Sequence, residues 1–202
     1  SSAIGAEVYS RLESTGPAGA AEPPAILLRA DDSAWLAHYD GGNNTIYFNS
    51  RSVARFFGAK KMKPARLIEA LHKDAAARAA FVKRADVLYL HELVHAVQRR
   101  RYPVWRGAAG GNPVEFEYEA YLTEDLYCHE KMKKDPALLK SFINGSYYDL
   151  YTADALGAYL MLSLDMDDYR DKIRKKYEEG AEGYSNFSRN VAAQKNTVEE
   201  SR

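Results

Sequence analysis

The 202-residue chain carries 28 basic and 28 acidic residues and is 46% hydrophobic, enough for one buried core but with no net field to draw a polyanion, which argues against a nucleic-acid binder driven by phosphate contacts. No apolar run approaches the ~20 residues that a bilayer-spanning helix needs. Cys128 is the single cysteine, so an intrachain disulfide is excluded and the redox compartment stays open.

The chain starts Ser1-Ser2-Ala3 without a methionine, which is compatible with a removed signal peptide and hence with export; compartment and oligomeric state are not readable. Ala6 to Leu12 predicts a short helix, and Gly16-Pro17-Ala18-Gly19 with Pro23-Pro24 reads as an extended connector. Residues 1–24 are therefore expected to form a loosely attached N-terminal arm. From Ala25 the texture changes. AILLRA is a short apolar strand, and AWLAHYD and TIYFNS flank Gly41-Gly42-Asn43-Asn44, the pattern of a hairpin. Such a hairpin either lends its edge to an extended peptide or simply covers the core.

Ser52 to Phe57 predicts one or two helical turns ended by Gly58. Pro64 then opens a helical stretch that runs to Arg101 and is stopped by Pro103. A break near Asp74 is expected, because one helix of that length would exceed a small domain's diameter. Arg99 to Arg101 sit where cations complement a helix C-terminus. His72 is assigned no chemistry, and the Lys60-Lys61-Met62-Lys63 and Lys175-Lys176 clusters read as solvated helix ends.

The centre of this stretch is His91-Glu92-Leu93-Val94-His95. Four residues advance an α-helix by about 400° and roughly 6 Å, so His91 and His95 project from one face, one turn apart, close enough to share a metal ion. H-E-x-x-H on a helix is the pattern of zinc hydrolases, in which two imidazoles hold the metal and the glutamate acts on a metal-bound water. Val87, Leu88, Leu90, Leu93, Val94, Ala96 and Val97 surround the histidines with apolar groups, as a helix buried behind a cleft requires. The plain alternative is a core helix whose histidines only bond to neighbours.

A catalytic zinc takes three protein ligands and keeps a position for water. Past Pro103, Arg106 to Gly111 provide a glycine-rich reversal, and Asn112-Pro113 predicts the start of a helix, NPVEFEYEAYLTEDLYCHEKMKK, with Glu115, Glu117 and Glu119 in its first turns. With Asn112 as N-cap, Glu115 falls where its carboxylate closes a capping box. Glu117 and Glu119 differ by about 200° around the axis, so only one of them can face the ion. Glu117 shares its face with Ala120 and Tyr121, and Ala120 is small enough to admit a close helix neighbour.

HELVH followed by a glutamate on a second helix resembles the gluzincin clan of zinc metallopeptidases, and Glu117-Tyr118-Glu119-Ala120-Tyr121 resembles the E-x-x-A-D element of its compact members, the minigluzincins. The resemblance runs from about Trp35 to Glu130 and implies an α+β, zincin-like fold, mostly helical, with a small upstream β-hairpin or sheet forming the cleft rim beside the active-site helix. It implies one Zn2+ held by His91, His95 and Glu117. The spacing of thermolysin-like members would select Glu115 instead, and Glu119 is the remaining alternative. Tyr121 stands where the family has an aspartate that supports a histidine, so Asp125, Asp149 or a backbone carbonyl is expected in that role.

On this reading Glu92 is the catalytic base of a zinc-dependent peptidase, an endopeptidase acting on peptide or protein substrates, and Tyr147, Tyr148 and Tyr151 are candidates by type for stabilising the developing negative charge. Two other readings stand beside it: a zincin-fold binding or scaffold protein without turnover, and a hydrolase of a non-peptide amide. An intact Glu92 favours catalysis over a scaffold. Beyond Pro136, ALLKSFIN, SYYDLYTADALGAYLMLSL and DMDDYRDKIRKKYEEG predict further helices that wall the cleft. Cys128-His129 has no second pair at ligand spacing and is read as helix surface. The domain is expected to span residues 25–184, with 185–202 a polar, frayed tail.

Overall fold

The computed structural model describes residues 2–15, 22–32, 35–54, 63–102, 114–143, 155–165 and 167–169, with residues 171 and 175. In chain order these form α1 (Ala3–Ser14), β1 (Ala25–Arg29), β2 (Ala37–Asp40), β3 (Thr45–Asn49), α2 (Ser50–Val53), α3 (Pro64–Lys73), α4 (Ala75–Arg101), α5 (Val114–Lys134), α6 (Pro136–Ile143) and α7 (Ala155–Leu164). The architecture is mostly helical with one small mixed sheet, consistent with the α+β class expected. No helix among the described residues is long and apolar enough to cross a membrane.

The helical stretch from Pro64 breaks where the sequence places the break. Pro64 supplies the first-turn residue of α3, and Asp74, extended at φ −119° and ψ 114°, turns its carboxylate onto the Ala76 N–H at 2.8 Å to start α4. From Leu90 to Gln98 every residue of α4 is buried. A helix covered all round at this level is the centre of the fold rather than a surface element. Phe81, Ala85, Leu90, Leu93, Val94, Ala96 and Val97 share a core with Ile46 and Phe48 of β3, while Val87 packs with Cys128 and Met132 of α5. Ala96 and Ala120 are both fully buried, the small contacts that let α4 and α5 lie close together.

The hairpin forms as the sequence predicts, with β2 antiparallel to β3 and the turn at residues 41–44. Asn44 takes the left-handed conformation that the turn requires, at φ 53°, and its side chain bonds Tyr39 Oη and the Glu22 carbonyl. The position of β1 is not legible in the same way. It lies parallel to β3, giving the order β1-β3-β2, so the last strand of the hairpin is the centre and β2 is an edge. That edge lies against α4. The fully buried Asn49 locks the end of β3, accepting from the Asp31 and Arg51 N–H groups and donating to the Asp31 and Trp35 carbonyls.

Three local expectations are corrected. The helix of the N-terminal arm is docked rather than loose: Val8 and Leu12 enter the main core, and the Glu130 carboxylate of α5 accepts from Ser2 Oγ at 2.6 Å and from the Ala3 and Ile4 N–H groups at 2.8 and 3.2 Å. Arg100 does more than complement the end of its own helix, since its guanidinium donates to the Leu12 and Glu22 carbonyls and so caps α1 from α4. Cys128 is not helix surface. It is 1% exposed, and burial pushes its thiol well up and out of reach of ionisation near neutral pH. His129 beside it bonds Ser163 Oγ on α7 at 3.1 Å. Asn112-Pro113, the side chain of Glu115, and the tail from Ser185 lie outside the described residues.

Glu130 makes the docking of α1 pH-dependent. Burial works against its charged form, but Lys134 and the three donors at the start of α1 outweigh it and hold the carboxyl down at about 2. A group whose folded value lies below its unfolded one contributes stability that is complete above about pH 4.5 and fades as pH falls toward 2. Glu130→Gln is therefore expected to cost about 1 kcal/mol at pH 7, with the difference from the parent closing in urea titrations run at successively lower pH.

Candidate metal centre

The side chains of His91 and His95 leave α4 one turn apart, with ring centroids 5.0 Å from each other. Across from them α5 brings up Glu117. Its Oε2 lies 3.5 Å from His91 Nε2 and its Oε1 3.5 Å from His95 Nε2. All three donors fall within 4.8 Å of one another, and both imidazoles are buried. Each ring is fixed from behind: His91 Nδ1 lies 2.9 Å from Glu124 Oε2, and His95 Nδ1 lies 2.8 Å from Gln98 Oε1. With Nδ1–H donated outward, Nε2 is the ring atom left facing the centre, where an ion would take its lone pair in place of a proton.

No family model matches the chain, and no curated protein or solved structure matches it. What the cluster can do follows from its own donors. An ion in tetrahedral coordination with bonds of about 2.1 Å needs its ligand atoms roughly 3.4 Å apart, close to the separation between Glu117 and each imidazole. Two neutral nitrogens and one carboxylate are a donor set that suits zinc. The electrostatics favour a cation as well. Burial alone would lower His91, but Glu117 and Glu124 on its two ring nitrogens outweigh it and raise its pKa to about 10; the field that holds a proton there would equally hold a metal.

Glu92 is 5% exposed and lies beside the two rings on α4. Burial raises its pKa first, His91 and His95 draw it down, Glu117 raises it, and the Tyr39 backbone N–H draws it down through a hydrogen bond; the net direction is upward. Tyr39 belongs to β2. Asn49 N–H bonds the Leu36 carbonyl at 2.8 Å, so along β2 the pairs facing β3 are those of Leu36, His38 and Asp40, while Ala37 and Tyr39 turn their peptide groups the other way. The outer edge of the sheet thus meets the HELVH helix at Glu92.

Of the glutamates considered as third ligand, Glu117 faces the Nε2 atoms of both histidines, while the side chain of Glu115 lies outside the described residues. Glu119 turns aside, accepting from Gln98 Nε2 at 2.9 Å with its other oxygen 3.4 Å from Arg11. Tyr121 packs edge-on against His91, ring centroids 4.5 Å apart, and gives it no carboxylate. Asp125, expected to support a histidine, accepts from Tyr169 Oη instead, and Asp149 lies outside the described residues, as do Tyr147, Tyr148 and Tyr151. Glu124 and Gln98 are the partners that sequence reasoning missed. Both had a signal: Glu124 is seven residues past Glu117, about 20° short of two full turns, and Gln98 is three residues past His95. His72 is exposed, and its carbonyl accepts from Arg78. A separate groove of about 520 Å3, lined by Tyr9, Leu28, Phe81, Ala85 and Tyr89 among others, contains none of the donor residues.

Proposed function

We propose that the chain is a zinc-dependent peptidase of zincin type, in which His91, His95 and Glu117 hold one Zn2+ and Glu92 is the general base. The observation that carries this is the convergence of two oriented Nε2 atoms and one carboxylate beside a buried glutamate that takes no part in the donor set. When bound, zinc supplies Lewis-acid polarisation of a carbonyl and acidifies a water from a pKa of ~15.7 toward ~7.

The chain's own residues do the rest. Glu92, held by the Tyr39 N–H, accepts the proton of the attacking water and delivers it to the departing amine, a double duty suited to a carboxyl whose pKa burial has raised. Glu124 and Gln98 keep both imidazoles aimed while charge moves around them. With the Tyr39 N–H taken by Glu92, the outward peptide groups of Ala37 and the outward Tyr39 carbonyl remain to offer backbone hydrogen bonds to an extended substrate, which favours a peptide over a compact amide. Incubation with a mixed peptide library tests the reading. Internal cleavage that disappears on adding a chelator and returns with Zn2+ is expected; cleavage indifferent to the chelator, or none with zinc bound, would count against it.

A further inference from the structure

We propose, resting on the metal-site reading above, that Gln98 is the positioning residue for His95 and that Glu119 acts through it by fixing which way the Gln98 amide faces. Gln98 is 2% exposed, so water cannot serve its polar atoms. Its Nε2 has two partners, the Phe116 carbonyl at 3.0 Å and Glu119 Oε2 at 2.9 Å, and both are acceptors only. The amide must therefore turn its NH2 toward α5 and its oxygen toward His95 Nδ1, 2.8 Å away.

That choice fixes the imidazole. An accepting oxygen requires a proton on His95 Nδ1, which leaves the Nε2 lone pair directed at the centre it shares with Glu117. A reversed amide would set oxygen against the Phe116 carbonyl and the Glu119 carboxylate, and would place hydrogens on His95 Nδ1, forcing the ring proton onto Nε2 where a metal must bind. A glutamate at position 98 would set a second carboxylate against Glu119. An amide is the side chain that accepts from His95 and donates to Glu119 at once. Glu119 is therefore not a ligand; from its partly exposed position it selects the orientation of Gln98. His91 needs no such intermediary, since Glu124 reaches it directly.

The test is a double-mutant cycle read by metal affinity. Chelator-stripped parent, Gln98→Leu, Glu119→Ala and the double variant are titrated with Zn2+ against a chromophoric competitor, and with Co2+ to record the visible absorption of the bound ion. Gln98→Leu is expected to weaken Zn2+ by about 10- to 100-fold and Glu119→Ala by about 3- to 10-fold, both altering the Co2+ spectrum. In the Gln98→Leu background the Glu119→Ala loss should vanish. Glu119→Gln, which keeps an acceptor, should return affinity to about the parent level. If Gln98→Leu fails to fold, Gln98→Met replaces it in the cycle. A Glu119→Ala loss that persists undiminished in the double variant would overturn the proposal. A parent that binds neither ion would overturn the metal reading itself, and this inference with it.

Discussion

Glu92→Gln is expected to lower peptide cleavage by about 10²- to 10⁴-fold, the usual contribution of a positioned acid-base group, while zinc binding stays at the parent level. The separation follows from the geometry. Glu92 lies outside the His91, His95 and Glu117 donor set and is anchored instead by the Tyr39 N–H of the edge strand. Glutamine has nearly the same shape and still accepts that hydrogen bond, but it cannot take up a proton. The substitution also removes a buried carboxyl whose charged form burial disfavours, so thermal stability should not fall. Equal cleavage by parent and variant would assign the activity to a contaminant; loss of zinc together with activity would make Glu92 part of the binding site.

Glu117→Ala has the second large expected effect, this time on affinity. It removes one of three ligands, roughly a third of the ~10–16 kcal/mol found for zinc sites, or about 3–5 kcal/mol and 10²- to 10⁴-fold in affinity. Glu119→Ala is the comparison, two residues away on the same helix but turned toward Gln98 and Arg11, with only the loss of about 3- to 10-fold expected through Gln98. Competitive Zn2+ titrations of the two variants should differ by an order of magnitude or more. Equal losses would return the third-ligand assignment to an open choice.

How far the chain could be read without its structure depended on how local each cause was. The α3–α4 break was legible because Asp74 caps the helix it starts, and the hairpin because Gly41 to Asn44 dictate a turn. His91 and His95 were legible because one helix turn sets their spacing. Glu117 was legible only with the family resemblance added, since helix geometry by itself left Glu117 and Glu119 open. What escaped were contacts between elements distant in sequence. The parallel docking of β1 on β3 depends on the path between them, and the anchoring of α1 on Glu130 joins residues 127 positions apart in sequence. Cys128 looked like surface because no second ligand pair accompanies it, yet its own face meets Val87 and Met132. Asp125 and Glu124 are adjacent in sequence and about 100° apart on α5; the packing of α5 between α4 and α7 sends Glu124 to His91 and Asp125 to Tyr169.

X-ray absorption at the zinc edge of the loaded protein addresses the shared ion most directly. One ion per chain is expected, with nitrogen and oxygen neighbours at about 2.0–2.1 Å, no sulfur shell, and the scattering pattern of two imidazoles that drops to one in His95→Ala. A protein that retains no zinc, or whose zinc shows no imidazole scattering or the same pattern after His95→Ala, would contradict a metal centre built from His91, His95 and Glu117.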